Sequence, residues 1–294
     1  MNQDFIKAGK IASQAREYGR SLIKENASVL EIAEKIEAKI RSLGGELSFP
    51  CDVSINFIAA HDSPKIKDER TLKKGDIVKI DLGAQVNGCV TDTACTVEVN
   101  STKNKDLIKA SEEALDNAIK LFTPGTKVCE IGKVIETTIK KYNLSPIRNL
   151  AGHGVGVYEI HTGINIPNYD NNNQTVLEKG MVFACEPFTT YGDGIVMDGK
   201  NSEVYSLEDP DKPIRDSGSR EVLKYIKEKY KTLPFSKRDL SKKFNILKLT
   251  LALNNLEREG IIQQYNILVE RSKGLVAQTE HTIIVDEKPV VVTK

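Results

Sequence analysis

LKKGDIVKID, residues 72–81, and LEKGMVFACE, residues 177–186, are nearly the same ten letters written twice, 105 positions apart. One copy ends on Asp81 and the other on Glu186. In both, a leucine and a Lys-Gly pair lead into an apolar run, the pattern of a turn feeding a buried strand. A repeat of that kind predicts a chain made of two like halves.

The echo extends outward. IKAGKIASQA from Ile6 aligns with IKASEEALDN from Ile108, and SVLEIAEKIEAKI from Ser28 with KVCEIGKVIETTI from Lys127. The second alignment keeps Val29/Val128, Glu31/Glu130, Ile32/Ile131, Ile36/Ile135, Glu37/Glu136 and Ile40/Ile139. Apolar residues at helical spacing predict that each half opens with two amphipathic helices and then passes to strands. A third echo sets VTDTACTV around Asp92 against QTEHTIIV around Glu280. The halves thus supply Asp81 with Asp92 and Glu186 with Glu280. Packed face to face, they gather four carboxylates near a shared axis in an α+β fold.

Eleven positions separate Asp81 from Asp92, but 94 separate Glu186 from Glu280. The excess predicts an insertion at 195–270 in a body formed by 1–194 and 271–294. Within it, a polar loop leads to helices that end at Gly260 before a short β-like run. Helices followed by a small hairpin resemble a winged-helix unit. We read it as a structural accessory rather than a DNA-binding module, because fold resemblance alone does not establish function.

A chain of 294 residues can bury a substantial core as one large domain or two ordinary ones. Lys plus Arg number 42 against 41 for Asp plus Glu, so the overall field favours neither nucleic acid nor an anionic membrane. The five cysteines are odd in number, widely spaced and free of any C-x-x-C pair, which suits reduced, packed thiols in a cytosolic protein. MNQDFIKAGKIASQAREYG lacks the apolar centre of a secretory signal, and no run approaches the roughly 18 apolar residues of a membrane span. The expectation is a soluble, cytoplasmic protein.

Asn87-Gly88 is a strong signal for a type I′ hairpin. Its register sets residue 86 opposite 89 and 83 opposite 92, making Asp81 and Asp92 diagonal neighbours on one face, roughly 7–8 Å apart at Cα. Carboxylates among Ile77, Val78, Ile80 and Leu82 repel one another and resist desolvation unless protonated or neutralised. Four negative charges match two divalent cations. His153, in GHGVG at 152–156, offers a neutral donor, with flanking glycines suited to close approach of backbone to a ligand. The motif lacks the glycine spacing and following lysine of a phosphate cradle. Of the four histidines, His61 in IAAHDSP and His161 in EIHTG keep company with these groups. His281, next to Glu280, should point to the opposite strand face and be structural.

These residues resemble the duplicated pita-bread metallopeptidases, and within them the type 2 methionine aminopeptidases in their short archaeal form. KIDLGAQVNGCVTDTA, AGHGVG, EIHTG, FACEPF and QTEHT occur in the family's order across essentially the whole chain. The resemblance implies five metal ligands: Asp81, Asp92, His153, Glu186 and Glu280. It implies that Asp92 and Glu280 bridge two ions, with Asp81 on one and His153 and Glu186 on the other. His61 would lie near the scissile nitrogen and His161 near the carbonyl oxygen, both off the metal. Phe49, Ile160 and Tyr265 would line the methionine pocket, and the insertion matches the helical subdomain that separates type 2 from type 1.

The implied chemistry uses two divalent ions, of cobalt, manganese, iron or zinc, to lower the pKa of a shared water and polarise the peptide carbonyl. Glu186 would relay a proton to the leaving amine, His161 would meet the developing oxyanion, and His61 would hold the scissile amide. The implied function is removal of the initiator methionine from nascent polypeptide N-termini by a monomeric enzyme, with docking at the ribosome left open. One rival is an Xaa-Pro peptidase of the same fold, which usually carries an extra N-terminal domain. Another is a non-catalytic relative that binds RNA or protein; such relatives lose metal ligands, and all five are present here.

Overall fold

In a computed structural model, which describes residues 2–294, helices α1 (Asn2–Leu22) and α2 (Val29–Ser42) form where apolar residues recur at helical spacing. Ile11, Ala15, Ile32, Ile36 and Ile40 are the buried members of those stripes. Ser28 caps α2 by accepting the Glu31 N–H at 3.3 Å. Strands β1 (Glu46–Ile55), β2 (Ile58–Ala60), β3 (Ile77–Val86), β4 (Cys89–Val90) and β5 (Thr93–Glu98) follow. The central strand β3 pairs antiparallel with β1 on one side and with β4 and then β5 on the other.

The second half begins the same way, with α3 (Lys105–Ile119) and α4 (Val128–Lys140). Glu130 reaches back to accept the Lys127 N–H at 3.3 Å, so the glutamate shared by both repeats marks the start of a helix each time. Then come β6 (Ser145–Pro146), β7 (Ala151–Gly154), β8 (Asn165–Pro167), β9 (Val182–Cys185) and β10 (Phe188–Thr190). After a long excursion the chain returns through β14 (Val276–Gln278), β15 (His281–Ile284) and β16 (Val290–Val291). Here β9 is the centre, flanked by β15 and β7, while β10 pairs with β14 and β6.

Why the ten letters repeat is now plain. Leu72 and Leu177 are buried, and each exchanges main-chain hydrogen bonds with the residues just before the second helix of its half: Leu72 with Asn26 and Ala27, Leu177 with Gly125 and Thr126. Gly75 and Gly180 then take φ of 86° and 90°, a conformation that costs glycine little and other residues much. The Gly75 N–H donates to Val99 O at 2.7 Å, and the Gly180 N–H to Val285 O at 2.8 Å. Each motif therefore ties helix, central strand and acid-bearing return strand together.

Two matching cores result. One packs Ala15, Ile36 and Ile40 against Val53, Ile80 and Leu82, and the other packs Leu115, Ile135 and Ile139 against Phe183, Cys185 and Ile283. All five cysteines are buried, and no disulfide joins them among the described residues. No helix among the described residues is long and apolar enough to cross a membrane.

Between Glu186 and Glu280 lie β11 (Val196–Leu207), α5 (Ser217–Lys229), β12 (Phe235–Ser236), α6 (Lys237–Leu240), α7 (Ile246–Arg258) and β13 (Ile262–Glu270). The helices share a core of their own around Val222, Phe235, Leu253 and Ile262. The run after Gly260 does not fold back on itself as a hairpin. It is β13, which pairs with β11, the strand preceding the helices, and with β2 of the first half. The wing-like strands thus bracket the helices and reach the first half directly.

Candidate metal centre

Asn87 and Gly88 adopt φ of 51° and 86°, both positive as a type I′ turn requires. The ladder then runs Val86 opposite Cys89, Leu82 opposite Thr93 and Asp81 opposite Ala94, so the register is the expected one and Asp81 and Asp92 are diagonal. A methyl group on Gly83 would come within 2.4 Å of Thr91 O and 2.6 Å of the Phe49 ring. Its absence lets β1, β3 and the return strand close tightly beneath Phe49.

The second half is not a copy in register. Cys185 lies opposite His281 and Phe188 opposite Gln278, one continuous register that sets Glu186 directly opposite Glu280. Pro187, which has no N–H to give, separates β9 from β10 where β3 is unbroken. The halves join along β5 and the β14–β15 segment. Ala94 O accepts the Glu280 N–H at 3.0 Å, Thr282 Oγ1 accepts the Asp92 N–H at 2.8 Å, and Thr96 Oγ1 donates to Gln278 O at 2.7 Å. This seam lays the two acid pairs side by side.

His153 comes from β7, and its glycine neighbours act differently from the expectation. A Cβ on Gly152 would meet Ala184 O at 2.4 Å and one on Gly154 would meet Thr162 Oγ1. The glycines serve close packing within the protein, which presses β7 onto β9 and aims the imidazole. His153 Nε2 stands 3.6 Å from Asp92 Oδ2 and 3.8 Å from Glu186 Oε1, with Nδ1 3.4 Å from Gly154 O. The five donors fall into two overlapping triads with ligand atoms within 4.8 Å: Asp92, His153 and Glu280, and Asp81, Glu186 and Glu280.

Asp81 Oδ1, Asp92 Oδ1 and Glu280 Oε1 are buried with no hydrogen-bond partner. Such orphaned anionic oxygens are costly unless a cation takes them, and the donor set of hard carboxylates with one imidazole fits divalent metal. Burial and mutual repulsion push Asp81, Glu186 and Glu280 well above the usual carboxylate range, and burial raises Asp92 to about 7. Burial also lowers His153 to about 4, leaving the neutral ring that a metal requires.

These shifts carry a sign. An acid whose folded value lies above its unfolded value of about 4 binds extra protons in the folded state, so its contribution is present at low pH and lost as pH rises. His153, depressed in the fold, works oppositely between about 4 and about 6.5. Above that window Lys79, which burial lowers to about 7, opposes the acids, since its depressed value adds stability as pH rises, and it does so with or without metal. In chelator, the melting temperature should therefore fall relative to that of protein saturated with a divalent cation as pH rises from about 6.5 to 8.5, as calorimetry in the two conditions will check.

A cavity of about 320 Å³ opens onto the cluster and is lined by Phe49, Asp52, His61, Ile160, His161 and Tyr265 together with Asp81, Asp92, His153 and Glu186. His61 Nδ1 lies 3.2 Å from Asn266 O on β13, and its ring meets Tyr265 edge-on at 5.3 Å. His161 packs edge-on against His153 at 4.3 Å. Protein crowding the ring, although its rim meets solvent, and the neighbouring His153 lower His161 to about 4. His281 turns away from the cluster to Thr293 Oγ1 at 2.9 Å and the Arg16 guanidinium at 3.2 Å, on the face expected for a structural histidine.

Two residues escaped the sequence reading. Gln278 Nε2 donates to Asp81 Oδ2 at 2.9 Å, Glu186 Oε2 at 3.2 Å and Glu280 Oε2 at 3.4 Å, one amide serving three acids. Strand alternation puts it on the face of Glu280, two positions on, so the signal was there. Asp52, opposite Asp81 on β1, had no such signal, because β1 changes register between Leu47 and Phe49 and again before Asp52.

A duplicated sheet with a carboxylate–imidazole cluster at its seam, beneath a cavity, defines a metal-dependent hydrolase of the pita-bread kind. Residues 3–287 match the model of metallopeptidase family M24. The chain is 46% identical to the methionine aminopeptidase of Methanocaldococcus jannaschii, over 99% of this chain and 97% of that one. It is 43% identical to that of Archaeoglobus fulgidus, over 100% and 98%. The crystal structure of the Thermotoga maritima methionine aminopeptidase shares the fold, with a TM-score of 0.73 at 24% identity over 99% of this chain and 96% of that one. The chain belongs to metallopeptidase family M24, in its type 2, archaeal-like methionine aminopeptidase branch.

Proposed function

We propose that this protein removes the N-terminal methionine from peptides and nascent chains by metal-dependent hydrolysis of the first peptide bond. The observation that carries this is the pair of donor triads sharing Glu280, whose other members, Asp81, Asp92, His153 and Glu186, line the cavity. Asp81, Asp92, His153, Glu186 and Glu280 would hold two divalent ions, and Glu186 Oε1 lies 3.8 Å from His153 Nε2. Bound there, the ions supply Lewis acidity, polarising the scissile carbonyl and making water a nucleophile near neutral pH.

The protein's own groups divide the remaining work. A neutral His61 that donates Nδ1–H to Asn266 O offers Nε2 as an acceptor, the polarity needed to receive the N–H of the scissile amide. His161, at the cavity mouth, donates to the carbonyl oxygen as charge develops there. Glu186 passes a proton from its carboxyl oxygen to the leaving nitrogen. Phe49, Ile160 and Tyr265 present the apolar wall for the methionine side chain, and the acids favour a free α-ammonium, which directs cleavage to the chain end. We propose that the protein acts as a monomer in the cytoplasm. Residues 195–270 serve as an inserted unit that completes the pocket through Tyr265.

The test is to load chelated protein with manganese, cobalt, iron or zinc and to compare peptides. Methionine should be released from Met-Ala-Ser and not from an Xaa-Pro peptide or acetyl-Met-Ala-Ser, with activity saturating at two metal ions per chain. Preference for Xaa-Pro, or tight RNA binding by an inactive metal-free protein, would overturn the proposal.

A further inference from the structure

Lys79 lies on β3 two positions before Asp81, on the same face of the strand, and is 1% exposed. A lysine is buried so fully only when its nitrogen finds partners. Nζ donates to Asn56 O at 2.9 Å, in the turn between β1 and β2, and to Val276 O at 3.0 Å, where β14 begins. Both partners are main-chain carbonyls and neither is an acid, so the side chain serves the backbone rather than pairing with the cluster.

What it serves is the edge of β14. That strand pairs with β10 on one side, and its other side faces the first half. There the Val276 N–H donates to Asn56 O at 3.1 Å, the Gln278 N–H donates to Thr96 Oγ1 at 2.9 Å, and the Thr96 hydroxyl donates to Gln278 O at 2.7 Å. The fourth group, Val276 O, is met by Lys79, which stands directly opposite Thr96 on the neighbouring strand. Val276 is fully buried, so removing Lys79 leaves its carbonyl unmet. Two residues along, Gln278 carries the amide that donates to Asp81, Glu186 and Glu280. We propose that Lys79 is a positioning residue for the metal centre: its hold on Val276 O seats β14 against the β1–β2 turn and so sets Gln278 where its amide gathers the three acids. The acids repel one another, and the shared donor keeps them converged before a cation arrives. The effect on metal affinity stands on the donor set alone; any loss of peptide cleavage rests on the function proposed above.

The experiment titrates manganese into chelator-stripped wild type, Lys79→Met, Lys79→Gln, Gln278→Leu and the double variant Lys79→Met/Gln278→Leu by calorimetry, with melting curves to establish that each folds. Gln278→Leu should bind about 10- to 100-fold more weakly than wild type, and Lys79→Met about 10-fold. Lys79→Gln, whose amide still offers N–H groups on a shorter stem, should fall between Lys79→Met and wild type. The double variant should bind no more weakly than Gln278→Leu alone, because Lys79 acts through that amide. A metal-free crystal structure of Lys79→Met should show Gln278 Nε2 drawn away from Asp81. Wild-type affinity in Lys79→Met, or additive losses in the double variant, would overturn the proposal and leave Lys79 a support of the fold alone. If Lys79→Met does not fold, Lys79→Gln with and without Gln278→Leu decides by the same comparison. If wild type binds manganese but cleaves no peptide, the proposed function falls, and these affinities still decide this one.

Discussion

Glu280→Gln should lower methionine release by about 10³-fold or more and, in chelator, make the protein harder to melt. Both effects come from one carboxylate. Glu280 belongs to both donor triads, is 1% exposed, and leaves Oε1 without a hydrogen-bond partner. With metal, the carboxylate common to both triads would be lost, so binding at both should weaken. Without metal, its charge only adds to the repulsion from Asp92, Asp81 and Glu186 that raises its pKa. A neutral amide of the same shape relieves that repulsion. Metal content, peptide hydrolysis and melting with and without chelator separate the two signs. A variant that melts lower than wild type in chelator would show that these acids do not strain the metal-free fold.

Arg238→Ala should cost about 3–5 kcal/mol of stability, read from the denaturant midpoint. The guanidinium makes two bonds to Glu37, Nη1 to Oε2 at 2.9 Å and Nη2 to Oε1 at 2.6 Å, and Nε donates to Pro64 O at 3.1 Å. The pair is 3% and 1% exposed, so deleting the cation strands a buried carboxylate. Glu37 Oε1 also accepts the Cys51 N–H at 3.3 Å, which links α6 of the inserted segment through α2 to the strand bearing Phe49 and Asp52. The apolar pair Glu37→Leu/Arg238→Met should recover most of the loss, because it removes both charges together. If Arg238→Ala alone costs under about 1 kcal/mol, water reaches this joint and the pair behaves as a surface bridge.

Most of the body of the fold was legible from local signals. The two helix pairs show in the 3.6-residue spacing of Ile32, Ile36 and Ile40 and their counterparts, and the first hairpin shows in Asn87-Gly88, whose φ preferences dictate its register. The inserted segment was legible as helices but not as a sheet. The partners of β13 lie far away in the chain, on β11 and β2, and no turn between them fixes the pairing.

What the sequence determined by itself is the duplication, the acids and histidines it carries, and the register of the one hairpin short enough to be set by its own turn. Only the tertiary structure decided that Glu186 faces Glu280 directly, that Gln278 serves three carboxylates, and that Asp52 stands opposite Asp81 in the cavity wall. The reason is physical. A turn or helix is chosen by dihedral preferences and contacts within a few residues, whereas the site is made where two sheets meet along Thr96, Thr282 and Glu280, groups that find one another only after both cores have closed.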